Sequence, residues 1–154
     1  MRAFFKGFAY AGRGLALVIR ERNFRFHLCA VGFISWFAAR FYDLSRTEWA
    51  ILLLTFGLVM GLEAVNTALE YLADRVTNER DELIRRCKDC AAGAVLVGAV
   101  FAVGVGIALF WDLERFADIA EYFTTEIWRL FVFAAVLAGA GAAVFLPFKS
   151  ERGN

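Results

Sequence analysis

Several features that would point to a familiar soluble enzyme are scarce or missing in this sequence. There is one proline, Pro147, so the long apolar stretches run without a helix breaker. There is one histidine, His27, and the three cysteines are Cys29, Cys87 and Cys90. Cys87 and Cys90 form a lone CxxC with no second pair and no histidine partner, which argues against zinc, and no disulfide framework follows from three thiols. They read as packing residues in a reducing compartment. No GxxxxGK[ST], HExxH or GxSxG occurs, and the "GRG" at 12–14 is not a phosphate loop. A formal charge of +1 leaves no cationic excess, so no nucleic-acid partner is expected. The first 27 residues lack an apolar core and a small-residue cleavage site and are not expected to be a signal peptide.

What the sequence does have is apolar surface. Of 154 residues 60% are hydrophobic, and 17 are phenylalanine. A soluble domain of this size cannot bury that much, so an integral membrane bundle is expected. Ala91–Trp111 and Leu130–Phe148 carry no charge, and Trp49–Ala73 is apolar apart from Glu63, Asn66, Glu70 and small polar residues. Each is long enough for a hydrocarbon core of roughly 30 Å. A shorter run, Leu28–Ala39, extends through Arg40, Phe41 and Tyr42 if the arginine snorkels, giving a fourth span. Before it, Phe4, Phe8, Ala11, Leu15 and Val18 make an apolar stripe, and Arg2, Lys6, Arg13 and Arg20 a basic one. That pattern fits a helix lying in the membrane interface.

Charge sorts by loop. Basic residues crowd the N-terminal arm, the segment Asp74–Asp89 and the C-terminus. In contrast, 112–126 holds Arg115 against Asp112, Glu114, Asp118, Glu121 and Glu126. The positive-inside rule places the arm, the middle loop and the C-terminus in the cytoplasm, which requires four spans. Gly57 and Gly61, the series Ala94, Gly98, Ala102 and Gly106, and Ala135, Gly139 and Ala143 are small residues at four-residue spacing, as at helix contacts in an oligomeric bundle.

One stretch breaks the apolar pattern. In "MGLEAVNTALEYLADRV", 60–76, Glu63, Asn66, Glu70 and Asp74 fall within an arc of roughly 80° on a helix. Acids inside a bilayer cost about 2.5–3.5 kcal/mol each on insertion scales and face a bundle interior or a polar cavity. Three readings stand. The acids are protonated partners in a helix contact; they relay protons or bind an ion in a small proton-coupled transporter; or they hold magnesium with a nucleotide. Lys88 and Asp89, in "RRCKDCAAGAV" at the start of the next run, favour the third: the lysine can meet phosphates and the aspartate can orient a partner.

These same residues resemble a known family. "LEAVNTALEYLADRV" followed by "KDCAAGAVLV" is similar to the two-part signature of the prokaryotic diacylglycerol kinase family, small integral membrane lipid kinases. "FFKGFAYAGRGLALVIRERNFRFHLCA" resembles the family's N-terminal part, and "ERNFRFH" the branch that phosphorylates undecaprenol. The likeness covers about residues 4–108, and the closing "FLPFK" resembles the family's usual end.

Position by position, the resemblance implies that Glu63 is the general base for the lipid hydroxyl. It implies that Glu70 and Glu21 bind Mg2+, that Lys88 and Asp89 contact ATP, and that Asn66 is an active-site polar residue. Tyr10 lies where the arm covers the nucleotide, and Glu79, Arg80 and Asp81 align with a nucleotide-contacting loop. The family works as a homotrimer in the bacterial inner membrane, with its site on the cytoplasmic side. Asp74 is read as ending its helix and pairing with Arg75 or Arg80, and His27 as an interface residue.

The chain departs from the family after residue 108. The family has three spans, whereas here "WDLERFADIAEYFTTEIW" and a further apolar run precede "FLPFK". Ala92 replaces a serine of some diacylglycerol-active relatives, which leans towards a polyprenol substrate. The expected molecule is all-α and a single domain, 1–154: an interfacial helix over 1–27, a family core over 28–108, and an atypical extension with a fourth span over 109–154. The expected function is a Mg2+- and ATP-dependent kinase acting on undecaprenol, with diacylglycerol as the runner-up substrate and a transporter as the alternative from another class. Lipid phosphatase activity is disfavoured because basic and histidine clusters are missing.

Overall fold

A computed structural model describes residues 2–76 and 81–146. Its described residues form six helices: α1 Arg2–Val18, α2 Arg22–Phe41, α3 Arg46–Val76, α4 Glu82–Phe110, α5 Leu113–Thr125 and α6 Ile127–Phe145. The all-α expectation holds. α3, α4 and α6, of 31, 29 and 19 residues, are long and apolar enough to cross a membrane. The run at the C-terminal end is therefore one helix of spanning length. α2 has 20 residues, about 30 Å at 1.5 Å per residue, but Arg22 and Arg25 in its first turns and Arg40 in its last make it less apolar.

The N-terminal arm divides earlier than its stripes imply. α1 stops at Val18, a turn over 19–21 is held by Glu21 N–H donating to Val18 O at 3.0 Å, and α2 starts at Arg22 instead of Leu28. No glycine or proline marks that turn. α1 leaves Phe4, Phe8 and Leu15 exposed, as an interfacial helix would, and the Phe4 and Phe8 rings meet edge to face at 5.0 Å.

α3 and α4 form the main antiparallel pair. They approach closely at Gly98, where a Cβ would lie 2.8 Å from Leu62 Cδ1 and 3.9 Å from Val59 Cγ2. The other glycines of the small-residue stripes are not used so tightly: a Cβ at Gly57, Gly61, Gly106 or Gly139 would meet nothing within 4 Å. Gly98→Ala is expected to be nearly neutral, because the tip of Leu62 can rotate away. Gly98→Leu is expected to wedge the helices apart and cost about 1–3 kcal/mol, read as a lower unfolding midpoint in detergent.

α6 runs antiparallel to α2 and packs on it. The Phe133 ring lies tilted at 5.8 Å from Phe33 and 6.3 Å from Trp36, and Phe41 meets Tyr122 edge to face at 5.2 Å. The guanidinium groups of Arg40 and Arg129 each lie 4.3 Å from the Tyr122 ring centroid, tying α2, α5 and α6 together. Arg40 is thus held by an aromatic ring as well as being placed to snorkel. At the other end Arg25 donates to the carbonyls of Val144 (2.9 Å) and Leu146 (3.1 Å). These are among the carbonyls that a helix C-terminus leaves without partners.

Candidate active site

The carboxylate seam lies on α3 where α2 begins. Glu63, Asn66 and Thr67 are buried at 3%, 5% and 5% exposure, in a helix whose other buried residues are apolar. Beside them is a polar cavity of about 360 Å³, walled by Glu21, Arg22 and Asn23 from the start of α2 and by Glu63, Thr67 and Glu70 from α3. The i, i+4 spacing stacks Glu63 over Thr67, and Asn66 over Glu70. Asn66 Nδ2 donates to Glu70 Oε1 at 2.9 Å, while Asn66 Oδ1 is buried without a hydrogen-bond partner. A buried amide oxygen left unpaired costs about 1–3 kcal/mol. That cost marks Asn66 as held for more than packing.

Glu21 reaches the site because its turn is tethered. It is the N-cap residue of α2, and its carboxylate accepts a short hydrogen bond from the Tyr71 hydroxyl of α3. The three acids that share the cavity therefore come from two helices. Mg2+ is commonly held by one or two carboxylates together with substrate phosphates. Glu21 and Glu70, facing one polar cavity, fit that donor set. Among the described residues no three His, Cys, Asp or Glu side chains are gathered closely enough to hold a metal ion by themselves, so substrate phosphates would have to complete such a site.

The remaining expected residues divide. Lys88 forms a short ion pair with Asp74, one helical turn beyond Glu70, so Asp74 pairs across the hairpin with Lys88 and not with its neighbour Arg75; the other partner expected from sequence, Arg80, lies outside the described residues. Asp89 pairs with Arg85 at 3.1 Å on the exposed side of α4. Neither Lys88 nor Asp89 walls the cavity. Tyr10 is exposed on α1 beneath the Arg13 guanidinium, 4.7 Å from its ring centroid. Asp81 caps α4, its carboxylate accepting from the N–H groups of Leu83 (2.8 Å) and Ile84 (3.1 Å). Glu79 and Arg80 lie outside the described residues. Thr67, Tyr71, Arg22 and Asn23 are additions that sequence reading did not single out. Thr67 was findable, since it falls about 40° from Glu63 on the wheel, beside the seam.

A second cavity, about 520 Å³, lies between α2, α3 and α4. Its walls are apolar: Phe33 and Phe37 of α2, Val59 and Met60 of α3, Val103 and Gly106 of α4. His27 sits at its rim, which agrees with an interface role, and Thr55 turns its hydroxyl back to Ile51 O at 2.8 Å. Met60 lines this slot and Glu63 lines the polar cavity, three residues and about 4.5 Å of helix rise apart. A buried carboxylate of the polar cavity thus stands one turn of α3 from a residue of the apolar slot.

Helices of membrane length around such a site define a small helical membrane protein with a polar site near an apolar slot. Comparison with known proteins makes the class specific. The family described as prokaryotic diacylglycerol kinase matches residues 9–110. The undecaprenol kinase of Bacillus subtilis is 41% identical over 117 residues, covering 71% of this chain and 89% of that protein. The diacylglycerol kinase of Synechocystis sp. is 44% identical over 102 residues, 64% of this chain and 57% of that protein. That of Escherichia coli K12 is 34% identical over 108 residues, 70% and 88%. The chain belongs to the prokaryotic diacylglycerol kinase family, and it is an enzyme, a lipid kinase. α5 and α6 lie beyond the matched residues.

Proposed function

We propose that the chain transfers the γ-phosphoryl group of ATP, with Mg2+, to the hydroxyl of undecaprenol at the cytoplasmic face of a bacterial inner membrane. The observation that carries this reading is the nearness of acid-lined cavity and apolar slot, with Glu63 one turn of α3 from a residue of the slot. A lipid alcohol whose chain lies in the slot brings its hydroxyl to the depth of Glu63. The similarity to an undecaprenol kinase favours a polyprenol over diacylglycerol.

In this mechanism Glu63 accepts the proton of the lipid hydroxyl as its oxygen attacks the γ-phosphorus in line. The bond to the β–γ bridging oxygen breaks, and ADP departs with that electron pair without a covalent enzyme intermediate. Glu21 and Glu70 hold Mg2+, which when bound neutralises charge on the phosphates. Asn66 steadies Glu70 through its amide. Lys88, exchanging Asp74 for phosphate, clamps the nucleotide with Asp89 beside it, and Tyr10 covers it from α1. Glu79, Arg80 and Asp81 contact the nucleotide, and Asp81 also caps the start of α4. The working unit is a homotrimer, which agrees with the bare apolar faces of α3 and α4.

The test is phosphorylation by purified protein with labelled ATP, Mg2+ and undecaprenol or diacylglycerol in parallel. Label on undecaprenol is expected. Label on diacylglycerol alone would overturn the substrate, and label on neither, from folded protein, would overturn the reading.

A further inference from the structure

The hairpin of α5 and α6 is foreign to the matched family core, yet it grips the helix that carries one wall of the site. Arg25 lies one turn after Glu21, and its backbone N–H donates to Glu21 O at 3.1 Å. Its guanidinium bridges to Val144 O and Leu146 O at the C-terminal end of α6. Val144 and the adjacent Phe24 are both buried, at 4% and 3% exposure. The bridge is therefore part of a packed contact and not a solvent-borne pair. A cation against the negative end of a helix dipole is also electrostatically matched.

Glu21 is held from other helices: its carboxylate accepts from the Tyr71 hydroxyl of α3, and the turn it belongs to runs into the helix that Arg25 ties to α6. It sits at a turn without glycine or proline, and its side chain makes no cap hydrogen bond to α2. A shift of the first turn of α2 would carry Glu21, Arg22 and Asn23 away from Glu63 and Glu70 together. From this arrangement we infer that Arg25 is a positioning residue for the metal-binding wall, and that α6 serves as its anchor. The inference rests on the proposed role of Glu21 towards Mg2+. It assigns the extension a task in the reaction: setting the separation of the acids contributed by two different helices.

The experiment compares the full-length enzyme with Arg25→Ala, Arg25→Lys, Phe133→Leu, Glu21→Gln and Phe24→Leu. Two readouts are needed: Mn2+ binding followed by electron paramagnetic resonance, and the half-saturating Mg2+ and lipid KM in the kinase assay. Arg25→Ala should weaken Mn2+ binding and raise half-saturating Mg2+ about five- to twentyfold, leaving lipid KM within about twofold. Arg25→Lys, which keeps one donor to the carbonyls, should fall between. Phe133→Leu loosens the α2–α6 contact far from the site and should move the same readout in the same direction, so the inference stands or falls even where Arg25→Ala does not fold. Phe24→Leu, which trims the packed contact around the bridge, should lower thermal stability and weaken Mn2+ binding in the same direction as Arg25→Ala. Metal affinity lost in Glu21→Gln but unchanged in the Arg25 variants and Phe133→Leu would overturn the inference alone. Affinity unchanged in Glu21→Gln as well would overturn the assignment of Glu21 and the inference with it.

Discussion

Replacing Glu63 by glutamine is expected to lower kcat by about 10²–10⁴-fold while leaving the KM values for ATP and lipid within a few-fold. The substitution keeps the shape of a side chain that is almost wholly buried, so packing between α2 and α3 is preserved. What disappears is the ability to take a proton, which matters only as the lipid oxygen becomes a nucleophile. A loss confined to kcat is the signature of an interaction made in the transition state. Folding should not suffer, since the variant removes an ionisable group from a buried position that already offers polar neighbours. Steady-state kinetics on variant and wild type in the same detergent check this, with thermal unfolding to confirm the fold. Asn66→Ala offers a contrast. It frees Glu70 from its 2.9 Å hydrogen bond and is expected to act on the Mg2+ dependence as well as on kcat.

The carboxylate seam was legible because it violates a pattern. Acids at 63 and 70 in an otherwise apolar run stand out, and helical periodicity alone puts them on one face. Spanning length was legible too, since an uncharged run such as 91–111 leaves little choice. Tertiary choices were not. The turn at 19–21 carries no breaker residue; it exists because Glu21 meets Tyr71 and Arg25 meets the end of α6, and no local signal encodes partners so distant in sequence. The C-terminal apolar run declared its length but not its neighbour, because its small and aliphatic residues suit several helix surfaces. Likewise the GxxxG at 57–61 marks a close approach that the single chain does not make, while Gly98, in a similar stripe, makes one. Lys88 and Asp74 each offered several partners in sequence, and only the antiparallel pairing of α3 with α4 selected one.

Filling the apolar slot should separate lipid recognition from nucleotide recognition. Gly106 lines the slot, and a Cβ there would meet nothing within 4 Å, so Gly106→Phe can place a ring in the cavity without forcing α3 and α4 apart. The slot does not attract its ligand by the ordinary hydrophobic effect. A prenyl chain leaves a bilayer as apolar as the slot, so shape and close packing must supply the preference. A recognition element of this kind is sensitive to occupied volume. Gly106→Phe is expected to raise KM for undecaprenol about tenfold or more, with KM for ATP unchanged within about twofold. A short prenol that ends before Gly106 should escape most of the effect, because its hydroxyl still reaches Glu63 and its tail never meets the ring. Parallel kinetics with undecaprenol and a short-chain prenol decide the matter. Equal loss on both lipids would place the chain elsewhere and detach the slot from catalysis, whereas loss graded by chain length would identify the slot as the surface that reads the lipid.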